Sequence, residues 1–132
     1  MLLFRNYVAP SKVEGLGVFT AEKIKKGAQV WAFDPTFDRL IPTETYESAP
    51  LFLKEQLDRY GYPCPDRPEF IVYEVDAGRF MNHSDTPNTD FSEFGDARAL
   101  RDIEAGEEIT CNYGDFYKEF ELLPNLSENA KK

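Results

Sequence analysis

Residues 79–88, which read RFMNHSDTPN, are the stretch from which the rest of the chain can be interpreted. They contain the only histidine of the sequence, His83, and a proline that favours a turn. Asn82, Ser84 and Asn88 surround the histidine with groups that must face solvent or find partners within the protein. A lone histidine is more often structural than catalytic, so both roles stay open for His83 on these residues alone.

Two other segments carry similarly specific residues. Residues 106–115, GEEITCNYGD, follow downstream, and residues 14–19, EGLGVF, lie far upstream. Gly15 and Gly17 allow positive φ angles and close approach of the backbone to a ligand. A glycine pair alone is more typical of a hairpin turn. The absence of a following G-x-G-x-x-G helix pattern excludes a Rossmann nucleotide site.

Composition indicates a single intracellular domain. The chain has 132 residues, of which 42% are hydrophobic and 14% aromatic, enough for one compact core. No apolar run approaches the length of a membrane span, and no signal peptide is evident. The net charge of −9 disfavours direct binding to nucleic acid and favours a basic partner, although solubility alone would also explain it.

The few cysteines and the single histidine limit metal and redox chemistry. Cys64, Cys111 and His83 cannot make up a four-ligand zinc site in one chain, so no metal is expected. A disulfide has no positive support. A nucleophilic pair of Cys111 and His83 is conceivable, but nothing nearby supplies an oxyanion hole.

Short hydrophobic runs predict many short strands and one or two short helices. Strands are expected at residues 2–8, 29–33, 69–75, 97–101 and 108–112. Residues 43–62 include a helical pattern with Ser48 as N-cap, and three prolines in residues 62–68 indicate a loop. The segments Ile24 to Gly27 and Ile103 to Gly106 share the same spacing, which suggests two similar strand–turn–strand units.

The segment after the last predicted strand offers candidate functional residues. If residues 108–112 form a strand, Tyr113 lies at its end, where working residues are common. An ordinary half-buried tyrosine is the alternative. Residues 115–123 could form a helix whose aromatic residues either cover the core or close over a flat ligand; they are Phe116, Tyr117 and Phe120.

Together these segments resemble the SET-domain protein lysine methyltransferases. The resemblance rests on Gly15–Phe19 (GLGVF), on RFMNHS with Pro87 and Asn88, and on GEEITCNYG at residues 106–114, which occur in the family's order. It covers about residues 10 to 117. The histidine-containing and tyrosine-containing elements carry most of its specificity.

The resemblance implies a mainly β fold of several small sheets with a C-terminal pseudoknot, which would bring residues 82–83 beside Tyr113. It implies a SET domain over residues 1–123. Within it, residues 43–62 would be the variable helical insert and residues 115–123 an aromatic lid, followed by a frayed polar tail at residues 124–132.

The resemblance also implies an enzyme that transfers methyl groups from S-adenosylmethionine to lysine in a basic protein or peptide, leaving S-adenosylhomocysteine. Tyr113 would be the catalytic residue. The cofactor would contact these residues: Gly15, Leu16, Gly17, Asn82, His83, Tyr113, Phe116 and Tyr117.

Two departures from the family's pattern concern the cofactor site. The cysteine-rich zinc segments that flank many relatives are absent, so the aromatic tail would replace them. Leu16 stands where relatives often carry an aromatic residue. A binding module with little activity and an unrelated small β protein are the alternatives. A homodimer, the substrate protein and the number of methyl groups are left open by the sequence.

Overall fold

Ten short strands and two short helices make up the fold. The structure is a computed structural model in which residues 1–117 are described. Its elements in chain order are β1 Asn6–Pro10, β2 Leu16–Thr20, β3 Gln29–Trp31, β4 Arg39–Pro42, α1 Thr43–Ser48, α2 Leu51–Tyr60, β5 Gly61–Pro63, β6 Phe70–Tyr73, β7 Asn82–His83, β8 Thr89–Asp90, β9 Ala97–Ala99 and β10 Glu108–Cys111, with 3₁₀ turns at Ala77–Phe80 and Tyr113–Asp115.

The strands form three small sheets. The four-stranded sheet has the order β1-β2-β10-β7, and the three-stranded sheets have the orders β3-β9-β8 and β4-β6-β5. β10 is antiparallel to β2, with Ile109 opposite Val18, and parallel to β7, with Cys111 opposite His83. The last described strand therefore lies inside the sheet, between two strands from earlier parts of the chain.

Both ends of the segment from β7 to β8 are tied to β10. At β7, Ser84 N donates to Cys111 O at 2.9 Å. At β8, Thr89 Oγ1 donates to Thr110 O at 2.6 Å, and Asn88 Nδ2 donates to Glu108 O at 2.8 Å. The motif segment thus holds the C-terminal strand from both sides. The predicted fold, several small sheets with a C-terminal pseudoknot, is confirmed.

The core lies where the sheets meet. Trp31, Val18, Ile103 and Ile109 are all at most 1% exposed, and Tyr113 packs against this core from its edge. The indole ring of Trp31 also packs against aromatic residues of the β8–β9 region. Burial of this apolar surface is the main favourable term in folding.

The two similar segments predicted from sequence pair with each other. Ile24 and Ile103 exchange two backbone hydrogen bonds of 2.8 Å. Gly27 and Gly106, three residues later in each copy, have positive φ angles of 84° and 90°. Each glycine turns the chain into the next strand, and the internal similarity corresponds to a local pair of turns.

The helical segment differs from its prediction in one detail. Ser48 is the last residue of α1, and its hydroxyl donates to Glu44 O at 3.0 Å. The N-cap of α2 is Pro50, which has no side-chain capping bond. The Ser48 prediction is wrong because Pro50 disfavours a helical conformation at the preceding Ala49, which is extended, so α2 starts only after Pro50.

Three other boundaries also differ from prediction. The first strand is Asn6–Pro10, and Leu2 makes only an isolated bridge to Trp31. The segment predicted as a loop at 62–68 begins with strand residues of β5. The predicted helix at 115–123 starts as a 3₁₀ turn, and residues 118–132, including Phe120, lie outside the described part of the chain.

Candidate functional site: two cavities that meet at Tyr113

Tyr113 is fixed at the end of β10 by its hydroxyl and by its backbone. The hydroxyl donates to Met81 O at 2.5 Å, and the backbone N–H donates to His83 Nδ1 at 3.0 Å. Desolvation by burial raises the pKa of the Tyr113 phenol well above its usual value. The hydroxyl therefore keeps its proton at neutral pH and acts as an oriented hydrogen-bonding group, not as a base.

His83 holds the backbone of Tyr113 through a hydrogen bond. Its Nδ1 accepts from Tyr113, so the proton of the neutral ring is on Nε2, which lies 2.9 Å from Asp85 Oδ1. The two rings are 5.3 Å apart. The nucleophilic pair with Cys111 gains no support, because desolvation by burial raises the pKa of the Cys111 thiol and keeps it protonated.

Asn82 joins the glycine segment to the motif strands. Its Nδ2 donates to Glu14 O and Leu16 O, each at 3.1 Å, and to Glu108 Oε2 at 3.0 Å. Ser11 Oγ lies 2.7 Å and 2.8 Å from the two oxygens of Glu108. This network, called here the Asn82 network, consists of Asn82, Glu108, Ser11 and the carbonyls of residues 14 and 16.

Gly17 is required by this network. A Cβ atom at residue 17 would lie 2.5 Å from Glu108 Oε2 and 3.1 Å from Ser11 Cβ. Such a close contact would displace the carboxylate. The second glycine of the pair thus serves close packing, and Gly15, with φ +48°, serves the turn.

A wide cavity of about 800 Å³ lies beside the Asn82 network. Glu14, Gly15 and Leu16 form one wall, and residues 79–82 with Tyr113 form its base. Exposed residues of α2 also line it: Phe52, Glu55, Gln56 and Arg59. This volume lies within the range of cofactor sites.

A narrow cavity of about 100 Å³ opens on the other side of Tyr113. Its wall is largely aromatic, with the Tyr62 and Phe116 ring centroids 4.7 Å apart and Phe91 5.8 Å from Phe116. An apolar cavity of about 150 Å³ accommodates one benzene molecule, so the narrow cavity suits a single unbranched side chain.

The two cavities share part of their lining. Both are lined by Met81 and Tyr113, the hydrogen-bonded pair, and by Arg79. Arg79 NH1 donates to Tyr73 OH at 3.3 Å, and its Nε is buried without a hydrogen-bond partner in the described residues. A ligand in the wide cavity and a side chain in the narrow one would meet beside the Tyr113 hydroxyl.

A family model of the SET domain matches residues 15–114, more than half of the chain. The chain belongs to the SET-domain family. No curated protein sequence matches it.

Solved SET-domain structures share this fold. A Plasmodium falciparum protein described as a candidate histone methyltransferase is 24% identical with a TM-score of 0.59, covering 86% of this chain and 96% of that one. Polycomb Repressive Complex 2 of Chaetomium thermophilum, bound to S-adenosylmethionine, is 24% identical with a TM-score of 0.61. That match covers 96% of this chain and 16% of the Polycomb chain. At these identities the likeness concerns the fold.

The residues predicted for the SET-domain site fall into three groups. Gly15, Leu16, Asn82 and Tyr113 line the wide cavity. Gly17 and His83 line neither cavity and instead hold Glu108 and Tyr113 in place. Phe116 and Tyr117 line the narrow cavity together with Tyr113. The structure brings all of them around one point, and their contacts with a cofactor stay predictions.

Two residues of the candidate site in this SET domain were missed by the sequence analysis. Arg79 lines both cavities, and Glu74 lies buried in the wall of the narrow one. Helix α2, within the predicted helical insert, lines the wide cavity. A signal existed for Glu74, because strand alternation places it on the same side as Val72, which is fully buried. No comparable signal marked the cavity-facing residues of α2.

Residues 1–117, the described part of the chain, contain neither a metal-binding group of side chains nor a helix that could span a membrane. Within residues 1–117, no group of acidic, histidine or cysteine side chains could hold a metal ion. No helix in that range is long and apolar enough to cross a bilayer. Cys64 and Cys111 are both buried and free.

Proposed function

We propose that this SET domain is a protein lysine methyltransferase that uses S-adenosylmethionine. The proposal rests on one observation. The wide cavity, which has the size of a cofactor site, and the narrow cavity, which suits a side chain, are both lined by the hydrogen-bonded pair Tyr113 and Met81. Transfer between two bound molecules needs such a junction, whereas a module that only binds a peptide does not.

The wide cavity suits the proposed cofactor chemically as well as in size. S-adenosylmethionine has a carboxylate, an ammonium group and an aromatic base. Arg79 offers a guanidinium cation, and Glu14 and Glu55 offer carboxylates. Phe52, like the nearby aromatic residues of the cavity, offers an apolar surface for a flat ring.

The chain's own residues would align the reacting groups. The bound cofactor supplies an electrophilic methyl group on a sulfonium. Tyr113 OH and Met81 O, held 2.5 Å apart, would orient the lysine amine and accept weak C–H contacts of about 0.5–1 kcal/mol each. Alignment is the larger contribution, since orientation can supply about 7–11 kcal/mol.

The substrate is proposed to be a lysine in a basic protein or peptide. The net charge of −9 would attract cationic chains and raise the rate of encounter. Screening by salt weakens such attraction. We therefore expect kcat/KM for a basic peptide to fall as the salt concentration rises. An unchanged kcat/KM would reject electrostatic steering.

The proposed function can be tested with S-adenosylmethionine carrying a radiolabelled methyl group and a panel of basic proteins and peptides. Label on lysine, recovered after hydrolysis of the substrate, is the expected result. Calorimetric titration with the cofactor runs in parallel. Cofactor binding without transfer to any substrate would favour a SET-fold binding module, and the lack of both binding and transfer would exclude the proposed enzyme.

A further inference from the structure

Glu74 lies in the wall of the narrow cavity, although a carboxyl group is costly to bury. It directly follows β6, is 7% exposed, and accepts a hydrogen bond at Oε1 from Trp31 Nε1. Within residues 1–117, Oε2 has no hydrogen-bond partner. A buried carboxyl group with spare acceptor capacity beside a cavity indicates a function that outweighs its cost.

The fold makes room for this carboxyl group. A Cβ atom at Gly78 would lie 2.6 Å from Glu74 Oε1 and 3.2 Å from its Cδ. Gly78 also lines the narrow cavity, and its backbone N–H is held by Asp76 Oδ1 at 3.0 Å. The glycine and the indole together fix the carboxyl group at the wall.

The other groups of the narrow cavity cannot replace it as an anion. Burial raises the pKa of the Tyr62 and Tyr113 phenols and of the Cys111 thiol, so all three are neutral at physiological pH. Asp58 also lines this cavity, but it is exposed and its Oδ1 accepts from Tyr46 OH at 2.8 Å, which places it at the rim.

We infer that the Glu74 carboxylate recognises the primary ammonium group of the substrate lysine in the narrow cavity, and so acts as a specificity-determining residue. This inference rests on the proposed function and deepens it: the lysine would bind as its ammonium form and release one proton to solvent before the neutral amine accepts the methyl group. The aromatic wall would pack around the four methylene groups of lysine, and rings such as Tyr62 and Phe116 also attract cations. Arg59 and Arg79 also line the cavity and would repel an ammonium group, so the Glu74 carboxylate would have to supply the countercharge that the rings lack.

Recognition by Glu74 should depend on pH. Desolvation by burial raises the pKa of the Glu74 carboxyl group to about 7, with further increases from Asp76 and Asp38 and opposing effects from the Met1 ammonium group and the Trp31 hydrogen bond. The carboxylate is therefore the main form only above about 7. Binding of an ammonium group should strengthen as the pH rises through that value.

Trp31 gives a direct probe of this interaction. It is the only tryptophan of the chain, so the indole N–H bonded to Glu74 gives a single, identifiable resonance in a ¹⁵N-correlated NMR spectrum. We would titrate the full chain with n-butylammonium, which matches the lysine side chain, and with 1-butanol as the neutral control. Both titrations would be done above and below the pKa of Glu74.

The matched variants are Glu74→Gln and Asp58→Asn. Glutamine keeps an acceptor for the Trp31 indole, and Asp58→Asn removes a carboxylate at the rim of the same cavity. We expect a saturable Trp31 shift with n-butylammonium in the wild type and in Asp58→Asn. We expect about tenfold weaker binding in Glu74→Gln, as for a lost hydrogen bond to a charged group.

Several outcomes would overturn the inference. The first is a Trp31 shift that is equal for n-butylammonium and 1-butanol, and the second is a wild-type shift that persists in Glu74→Gln. The other two are a shift that is lost in Asp58→Asn instead, and binding of n-butylammonium that does not change with pH. With a peptide that accepts methyl groups, KM should rise about tenfold in Glu74→Gln, assayed at a pH and temperature where unfolding curves show both proteins to be folded. Unchanged KM would contradict the role.

The inference and the proposed function fail in different ways. Methyl transfer with the same KM in the wild type and Glu74→Gln, and without a Trp31 response, would keep the enzyme and reject the role of Glu74. A Glu74-dependent response to n-butylammonium in a chain that transfers no methyl group would reject the proposed function and keep an ammonium site.

Discussion

The segment around Asn82 and helix α2 both line the wide cavity but are held in different ways. The Asn82 amide makes three hydrogen bonds, and its neighbour His83 fixes the backbone of Tyr113. By contrast, α2 has no buried residue, and Leu51 and Phe52 are 72% and 69% exposed. The Asn82 segment is held by a hydrogen-bond network, whereas α2 lies on the protein surface.

Under the proposed function, the residues that align the reacting groups and the residues of α2 would have different structural requirements. Groups that must keep a fixed geometry sit in a connected hydrogen-bond network, where displacing one member disturbs the others. Helix α2 contributes side chains without carrying the core, so its sequence can change at little cost in stability. We therefore expect substitutions on the two walls to differ in their effect on folding.

The largest effect on stability is expected for a substitution of Glu74, which is buried beside the narrow cavity. Its pKa rises from 4.5 to about 7 on folding. Between these values the folded state binds more protons than the unfolded state, so this residue makes stability fall as the pH rises through the window. Glu74→Gln removes the dependence, and its stability relative to the wild type should improve by about 3 kcal/mol across the window.

Denaturant unfolding of both proteins at a series of pH values measures this change. Asp58→Asn is the control, because it removes an exposed carboxylate that lines the same cavity. A stability difference between the wild type and Glu74→Gln that stays constant with pH would show that Glu74 is not perturbed by burial.

A smaller effect is expected from Gly17→Ala. The new Cβ would meet Glu108 Oε2 at 2.5 Å and disturb the Asn82 network, which should cost about 1–3 kcal/mol of stability and weaken cofactor binding. Thermal unfolding and calorimetry measure the two effects. The control is Gly95→Ala, where φ is +90° but no atom lies within 4 Å of the new Cβ. This control should bind cofactor normally.

The smallest effect on stability is expected on α2. Phe52→Ser removes an exposed ring, so the unfolding free energy should change by no more than about 0.5 kcal/mol. The ring lines the wide cavity, and a weaker affinity for cofactor is expected without a change in melting temperature. If Phe52→Ser lowered stability as much as Gly17→Ala, the contrast between the two walls would be wrong.

Much of the fold followed from the sequence, because its decisive residues are contiguous. The histidine-containing and tyrosine-containing segments indicated a mainly β SET fold, and the structure pairs Cys111 with His83 as that fold requires. Local boundaries were harder to predict. Ser48 looked like an N-cap, but Pro50 keeps Ala49 extended, so Ser48 ends α1 and α2 starts after Pro50.

The candidate site was predictable only where its residues belong to the motifs. Asn82, His83 and Tyr113 come together as expected, but the division between residues that line a cavity and residues that support them is a matter of packing. Glu74 acquires its character from the Trp31 indole and the space left by Gly78, which are brought to it by folding. Such contacts cannot be predicted from the spacing of residues in the sequence.

The most direct test of the central claim is the rate of methyl transfer to lysine by the wild type and by Tyr113→Phe. The variant loses the hydrogen bond from the Tyr113 hydroxyl to Met81 O, beside both cavities. We predict an unchanged cofactor affinity, a nearly unchanged melting temperature and a transfer rate about 10²-fold lower, as expected from misplaced reacting groups. Equal rates in the two proteins would contradict the assignment of the transfer site to Tyr113.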